Sequence, residues 1–325
     1  MNVLVIGFGS IGRRHVGNLV NHDDVEKIIV YSKINEHING TYKKDITMIN
    51  AAETNLSAAV DECNPDFVII ANETYKHMDT AITLAQKGLH LFIEKPLSHN
   101  LEKMDVLKDI VRKRNLQLFI AYNLRFLPAI EYLREQIRGG ALGDLYFAQI
   151  EAGQYLPSWR PDTDYAACYS ADEKRGGGVA LDLSHEVDYM RYLFGEPQSW
   201  KTIKSKASNL KINAEDIFAG IYKYSNGFIC QVHMDYLQEK PKRAIRVVGS
   251  KGQIFCDLIE KHIDVQTSGQ KTRLTENNFF NTAETYKTEL AHFIAALGSG
   301  SPVAISFDDG IKALELLEDS HDRQS

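Results

Sequence analysis

The chain opens on a strand, a glycine turn and a helix in immediate succession. Residues 1–6, MNVLVI, form a short apolar run suited to a buried parallel strand. Gly7-Phe8-Gly9-Ser10-Ile11-Gly12 follows without a spacer. Arg13-Arg14-His15 and the apolar Val16, Leu19 and Val20 continue as a helix, and a second apolar run covers 25–31. A G-x-G-x-x-G pattern acquires meaning in this setting, after a strand and at a helix start. Gly7 permits the tight turn, and Gly9 lets the backbone approach a pyrophosphate. Gly12 allows close helix–strand packing, and the helix N-terminus offers N–H groups to the anion. The six turn residues and Arg13 are therefore candidate dinucleotide contacts. The competing reading is a glycine turn in another kind of α/β protein.

At 325 residues the chain is too long for one ordinary core, which predicts two domains. Hydrophobic residues make up 44% and charged residues 25%, the balance of a globular chain rather than a disordered one. Net charge is −6 with no basic block, which argues against nucleic acid as a partner. No apolar run reaches the roughly 18 residues a membrane span needs, and no basic-then-apolar leader precedes the first strand. The expectation is a cytoplasmic protein without a membrane partner. Cys63, Cys168, Cys230 and Cys256 are scattered and form no C-x-x-C pair, so incidental thiols are expected rather than a disulfide framework or metal site.

An NAD site commonly places Asp or Glu about 20 residues beyond the glycines, on the ribose diol. Here that position reads Tyr31-Ser32-Lys33, with no carboxylate. Ser32 suits a 2′-phosphate, and Lys33 or Arg13 could neutralise it, so NADP is favoured over NAD. The alternative is that these are solvated side chains and NAD still binds. A weak strand is expected near 46–49 and a helix over 56–63. FVIIA at 67–71 is a continuous apolar strand that delivers Asn72-Glu73-Thr74 to its C-terminal end, the ligand edge of a parallel sheet. Thr74 is expected to cap the helix running to Lys87. The strand at 89–93 delivers Glu94-Lys95-Pro96 to the same edge, Asn100 is expected to cap a helix to about Arg114, and 118–121 is a further strand. Asn72, Thr74, Glu94, Lys95 and Asn123 thus join the candidate cofactor contacts. The strand–helix alternation predicts a parallel sheet with helices on both faces.

The second part begins near Asn123-Leu124-Arg125-Phe126, with Pro128 in the first turn of a helix. Arg125 is a candidate to brace the domain interface. A half-buried strand covers 145–152. Residues 153–174 read as a long loop carrying Tyr155, Trp159, Arg160, Tyr165 and Tyr169, and a loop of that length is seldom filler. It suits a substrate lid or a subunit contact equally. Gly176-Gly177-Gly178 precedes a stretch read as one helix to Phe194, in which Asp182 and His185, three apart, share a face with Glu186 close by. Such a cluster could imitate a metal site, but the spacing alone does not support one. His15, His77 and His233 have no ligand spacing with another histidine and are read as non-metal. From Trp200 onward the pattern becomes successive strands with an Asn226-Gly227 hairpin signal, a largely antiparallel sheet, closed by a helix over 285–297 and another over 307–317.

These residues together resemble the glucose–fructose oxidoreductase / inositol dehydrogenase / MocA family of NAD(P)-dependent oxidoreductases. The resemblance rests on GFGSIG, E-K-P at 94–96, N-x-R-F at 123–126, GGGVALDLSHEVDYMRYLFG at 176–195 and VVGSKGQIFCDL at 247–258. It implies an α/β fold. A Rossmann dinucleotide-binding domain over 1–122 is followed over 123–325 by an α/β domain with an open, largely antiparallel mixed sheet. The second domain is implied to bind substrate and to serve in homodimer or homotetramer assembly. The resemblance places Lys95 near the nicotinamide and the reacting hydroxyl, and assigns Asp182 and His185 to the substrate site. The family's usual D-x-x-x-H is here D-L-S-H, so Asp182 and Glu186 both remain candidates to face substrate. The run GQYLPSWRP at 153–161 resembles a branch associated with surface-polysaccharide and unusual-sugar biosynthesis.

Oxidising a secondary alcohol requires hydride transfer and removal of the hydroxyl proton. His185 is suited as the base because imidazole titrates near neutral pH. Asp182 would orient it or bind a neighbouring hydroxyl. Lys95 would stabilise the developing alkoxide or relay the proton. Tyr155, Trp159, Arg160 and Tyr165 are candidate substrate contacts, Arg160 for a phosphate or carboxylate. The expected activity is NAD(P)-dependent oxidation or reduction of a sugar, sugar derivative or cyclitol. Two alternatives stay open: a closed redox cycle on a retained cofactor, and a dinucleotide-sensing or scaffold protein without catalysis.

Overall fold

The computed structural model describes residues 1–33, 44–159, 161, 163–267 and 269–319. The chain divides into two compact units, one of Met1–Tyr122 with Tyr286–Ile311 and one of Asn123–Thr285 with Lys312–Ser325. A single cut after residue 122 therefore misses one feature: the segment Tyr286–Ile311 packs with the first unit. The physical reason is apolar. Phe293 sits against Phe67, Phe92 and Phe119 with ring centroids 5.3, 5.6 and 5.9 Å away.

The first unit alternates β1 (Asn2–Ile6), α1 (Ser10–Val20), β2 (Lys27–Ser32), β3 (Asp45–Asn50), α2 (Leu56–Cys63), β4 (Phe67–Ile70), α3 (His77–Gln86), β5 (His90–Glu94), α4 (Met104–Lys113) and β6 (Leu118–Ala121). The six strands lie in the order β3-β2-β1-β4-β5-β6, all parallel. Strands buried on both faces read as continuous apolar runs, as β4 and β6 do. The order reverses between β1 and β4. A crevice for ligand opens at such a switch point, outside the carboxyl ends of the strands. Asn55 caps α2 by accepting from the Ala58 N–H. Two expected caps are absent. Thr74 begins a short 3₁₀ turn, and α3 starts only at His77 without a side-chain cap. Asn100 accepts from the Glu102 N–H at 3.0 Å, which makes a local turn, and α4 starts at Met104.

The second unit contains α5 (Pro128–Arg138), β7 (Leu145–Gly153), α6 (Leu156–Trp159), α7 (Val179–Asp182), α8 (His185–Phe194) and strands β8 (Ser199–Ser205), β9 (Ile217–Lys223), β10 (Ile229–Asp235), β11 (Lys242–Gly249), β12 (Gly252–Asp257), β13 (His262–Thr267) and β14 (Gln270–Leu274). The chain continues through α9 (Thr282–Ser299) and α10 (Phe307–Glu315), both of which contribute residues to each unit. The eight strands lie in the order β14-β13-β12-β11-β7-β10-β9-β8. Every pairing is antiparallel except β7 with β10. The hairpin at Asn226-Gly227 joins β9 and β10 as its turn residues predict. Burial alternates along β9 and β10, so the sheet has one covered face, contacted by α7 and α8, and one outward face. Phe147, Ile203, Ile221 and Ile229 are among the outward residues. Among the described residues no helix is long and apolar enough to cross a membrane.

The segment read as a long loop is not structureless: α6 and three 3₁₀ turns, Tyr165–Ala167, Tyr169–Ala171 and Glu173–Arg175, carry its described part. The helix read from the triple glycine to Phe194 is also interrupted. Leu183 leaves the helical region (φ −100°, ψ 24°), and a new helix begins at His185. Asp182 and His185 thus occupy different helices, and the shared-face argument from three-residue spacing does not apply. Arg125 and Asp188, both buried, form a bidentate pair at 2.9 and 2.6 Å within the second unit.

Candidate active site

The glycine turn is built by close approach. Gly7 has φ +94°, and a Cβ there would lie 2.5 Å from the Ala71 carbonyl oxygen across the switch point. A Cβ on Gly12 would lie 2.1 Å from the Gly7 carbonyl oxygen. Both positions are closed to any side chain. Gly9 differs, because a Cβ there would meet nothing within 4 Å. Its missing side chain leaves open space instead of relieving a contact. Gly9 is also the N-cap of α1, with no side-chain cap and no acidic residue in the first turn. An uncapped helix N-terminus beside open space fits a pyrophosphate, and the residues present therefore suit a dinucleotide. Phe8 is buried and the Arg13 guanidinium lies over its ring at 4.3 Å. Ser10 is exposed and Ile11 half-buried at the helix start. Ser32 is buried at the end of β2, and Lys33 beyond it is exposed.

The ends of β4 and β5 are tied together by a residue the sequence reading set aside. His77 places Nδ1 at 2.9 Å from the Pro96 carbonyl oxygen and Nε2 at 3.0 Å from that of Asn72. Burial holds its pKa below the ordinary value, against the opposing pull of those two carbonyls and of Glu94. Asn72 donates to the Thr80 hydroxyl at 3.1 Å, and Thr74 is buried beside it in sequence. Lys95 is half-buried and follows the last residue of β5, with a cis peptide to Pro96. Its main-chain N–H donates to Glu94 Oε2 at 3.3 Å. Glu94 is buried and also contacts His15 Nε2 at 2.5 Å.

In the second unit the structure joins Asp182 to a residue that sequence reasoning missed. The Tyr236 hydroxyl donates to Asp182 Oδ2 at 2.6 Å, and both residues are buried. Burial and the Asp182 carboxylate push the Tyr236 hydroxyl pKa well above its usual range, so it stays protonated as a donor. The Trp159 ring packs edge-on against Tyr236 at 5.3 Å, and its indole N–H donates to the Gln154 carbonyl at 3.2 Å. Trp159, Tyr236 and Asp182 thus form one chain of contacts. In the structure Tyr236 stands just past the end of β10, where loops carry function.

His185 is 8% exposed at the first position of α8. Glu186 turns away to pair with Arg243 at 2.6 Å and is fully buried. Of the two acids left open by the sequence, Asp182 is held by a neutral tyrosine, whereas Glu186 is engaged by a cation. Burial raises the pKa of Glu215, which accepts from the Ala180 N–H at 3.1 Å at the start of α7. Tyr165 accepts from the Lys211 N–H at 3.3 Å through its hydroxyl, and the Tyr155 main chain donates to the Gln238 carbonyl at 2.7 Å. Asn123 is buried and donates to the Thr285 hydroxyl at 2.6 Å. Arg160 lies outside the described residues.

Comparison with known proteins agrees with this architecture. A family profile described as "Oxidoreductase family, NAD-binding Rossmann fold" matches residues 1–122, and a GFO/IDH/MocA C-terminal domain profile matches 130–255. The chain is 29% identical to a myo-inositol 2-dehydrogenase of Thermotoga maritima, covering 97% of this chain and 94% of that one. It is likewise 29% identical to an inositol 2-dehydrogenase of Rhizobium meliloti, again over 97% and 94% of the two chains. The crystal structure of the WlbA dehydrogenase from Bordetella pertussis, in complex with NADH and UDP-GlcNAcA, superposes with a TM-score of 0.84. It covers 98% of this chain and 93% of that one at 19% identity, a likeness of fold. The glycine turn at the switch point, the mixed second sheet and both profiles lead to one assignment: the chain belongs to the GFO/IDH/MocA oxidoreductase family and is an NAD(P)-dependent dehydrogenase.

Proposed function

We propose that this dehydrogenase interconverts a hydroxyl and a ketone on a sugar, sugar derivative or cyclitol, with Lys95, His185 and Asp182 as its catalytic groups. The observation that carries the reading is the Asp182–Tyr236 pair. A carboxylate offers about four lone-pair sites, so the buried Asp182 can accept from the Tyr236 hydroxyl and also from a polyol hydroxyl or an imidazole. The inositol dehydrogenases among the relatives support a polyhydroxylated substrate.

When bound, the nicotinamide dinucleotide supplies the hydride acceptor or donor. His185 takes the hydroxyl proton on an imidazole nitrogen. Asp182 orients that imidazole or the neighbouring hydroxyl. Lys95 balances the negative charge that develops on oxygen. Trp159 holds the Tyr236 ring, and with Tyr155, Arg160 and Tyr165 forms the substrate-contacting set. The turn residues with Asn72, Thr74, Glu94 and Asn123 hold the cofactor. Ser32, Lys33 and Arg13 favour NADP, because among the described residues no carboxylate stands at the end of β2 to repel a 2′-phosphate. The outward sheet face, with its exposed isoleucines, supports a homodimer or homotetramer. The loop's resemblance to polysaccharide-sugar enzymes favours a role in surface-sugar biosynthesis.

The test titrates the purified protein with NADH and NADPH by fluorescence, then follows absorbance with free sugars, inositols and nucleotide-linked sugars. NADPH preference with turnover on one sugar class is expected, and Lys95→Met should remove that turnover. A tightly held cofactor without net turnover would replace this reading with a closed redox cycle.

A further inference from the structure

The main chain of Lys95 is anchored to a buried polar cluster that hydride transfer leaves unused. His15 on α1, Glu94 on β5 and Glu289 on α9 each place one nitrogen or oxygen within 4.8 Å of the others. His15 and Glu289 have no exposed surface and Glu94 has little. Glu94 is the bridge. One oxygen meets His15 Nε2 at 2.5 Å and the other accepts the Lys95 N–H at 3.3 Å. The helix behind the glycine turn is thereby joined to the peptide of the candidate catalytic lysine. Phe92 and Tyr286 stand edge-on to the imidazole at 5.2 and 6.4 Å.

Glu289 is the anomaly in this cluster. Neither of its carboxyl oxygens has a hydrogen-bond partner among the described residues. An ionised carboxylate there would lose its hydration and face the charge of Glu94 without a donor. Burial, and then Glu94, push its pKa well above the carboxylate range. The other titratable and charged groups around the cluster are His77 on α3, Lys95 after β5, and Tyr286 on α9 with Arg14 over its ring at 4.5 Å. A metal ion would account for two acids and a histidine, but the contact distance argues against it. Two ligands about 2.1 Å from a tetrahedral ion stand about 3.4 Å apart, whereas His15 and Glu94 are in direct hydrogen-bond contact.

We propose that Glu289 is kept as a neutral acid and that His15 is a positioning residue for Lys95, acting through Glu94. This rests on the reading of Lys95 as a catalytic group. Glu94 is the acid of the cluster that reaches the lysine's peptide. That carboxylate is committed to His15 and to the main chain of Lys95.

Two measurements on the full-length protein test it without a known substrate. Infrared difference spectroscopy at neutral pH should show the C=O stretch of a protonated carboxyl group, lost in Glu289→Gln. The second follows the titration of ¹³C-dimethylated lysines by NMR, with the Lys95 signal assigned by its loss in Lys95→Met. Glu289→Gln preserves shape and neutrality and should leave the Lys95 midpoint in place. His15→Gln should move it by about half a pH unit or more. A protein that merely lost stability would keep its midpoint in the folded fraction. Absence of the carboxyl band, an unmoved midpoint in His15→Gln, or one equivalent of divalent metal retained through purification overturns the proposal. Full turnover by Lys95→Met overturns the catalytic reading, and the positioning role with it, while the infrared result still stands.

Discussion

The Tyr236 hydroxyl donates to Asp182 Oδ2 at 2.6 Å inside the second unit, linking the end of β10 to the end of α7. A hydrogen bond to a buried carboxylate contributes about 1.5–3 kcal/mol. Tyr236→Phe removes the donor and keeps the ring against Trp159. The expected outcome is a fall in kcat of about tenfold with cofactor affinity unchanged, since the lost interaction serves substrate chemistry. Steady-state kinetics with fluorescence titration of the cofactor separates the two effects.

The glycines of the turn should divide by mechanism. Gly12→Ala forces a methyl group against the Gly7 carbonyl at 2.1 Å, a main-chain atom that cannot move aside cheaply. It should cost about 1–3 kcal/mol of stability as well as dinucleotide binding. Gly9→Ala meets nothing in the protein. Its thermal stability should match the parent while the cofactor Kd weakens by about tenfold or more, because the methyl group fills the space offered to the pyrophosphate. Thermal melts beside cofactor titrations read both.

Cofactor choice is expected to turn on the end of β2. Ser32→Asp places a carboxylate where a ribose diol would be bound and a 2′-phosphate repelled. The ratio of NADPH to NADH affinity should fall by about tenfold or more. An unchanged ratio would remove Ser32 from the cofactor contacts.

The outward face of the second sheet gives a prediction about assembly. Ile203 and Ile221 are 69% and 53% exposed on neighbouring strands β8 and β9. Ile203→Glu with Ile221→Glu should shift the protein toward monomer in sedimentation velocity without lowering its melting temperature by more than about 2 °C, since surface changes alone cost little.

The pH dependence of stability follows from Glu289. At acid pH the folded and unfolded chains both hold the proton. As pH rises past the ordinary carboxyl range, the unfolded chain releases it, while burial and Glu94 keep it on the folded chain. Stability therefore falls as pH rises through that window, by roughly 1 kcal/mol per pH unit. Glu289→Gln removes this slope. Denaturant melts of both proteins between about pH 4 and 8 should converge at the acid end and separate toward the basic end, with the variant the more stable.

Much of the architecture was legible because it is local. The apolar runs of β1, β4 and β6, the glycine turn that follows β1 at once, and the alternation of β9 and β10 around Asn226-Gly227 each state their structure within a few residues. Thr74, Asn100 and the Asp182–His185 spacing misled for one shared reason. Capping and face-sharing depend on where a helix actually begins, and short 3₁₀ turns or a single residue leaving helical geometry at Leu183 shift that point.

The sequence by itself determined a dinucleotide-binding α/β unit followed by a mixed-sheet unit, because hydrophobic period and glycine placement are written in neighbouring residues. Only the tertiary structure decided which side chains share a proton or an ion pair. Tyr236 meets Asp182 across 54 residues, and Glu186 meets Arg243 across 57. Glu289 joins the cluster of His15 and Glu94 after the chain has passed through the whole second sheet. Such contacts arise when separate elements bury apolar faces together and leave a few polar groups enclosed, and no local spacing records which groups those are.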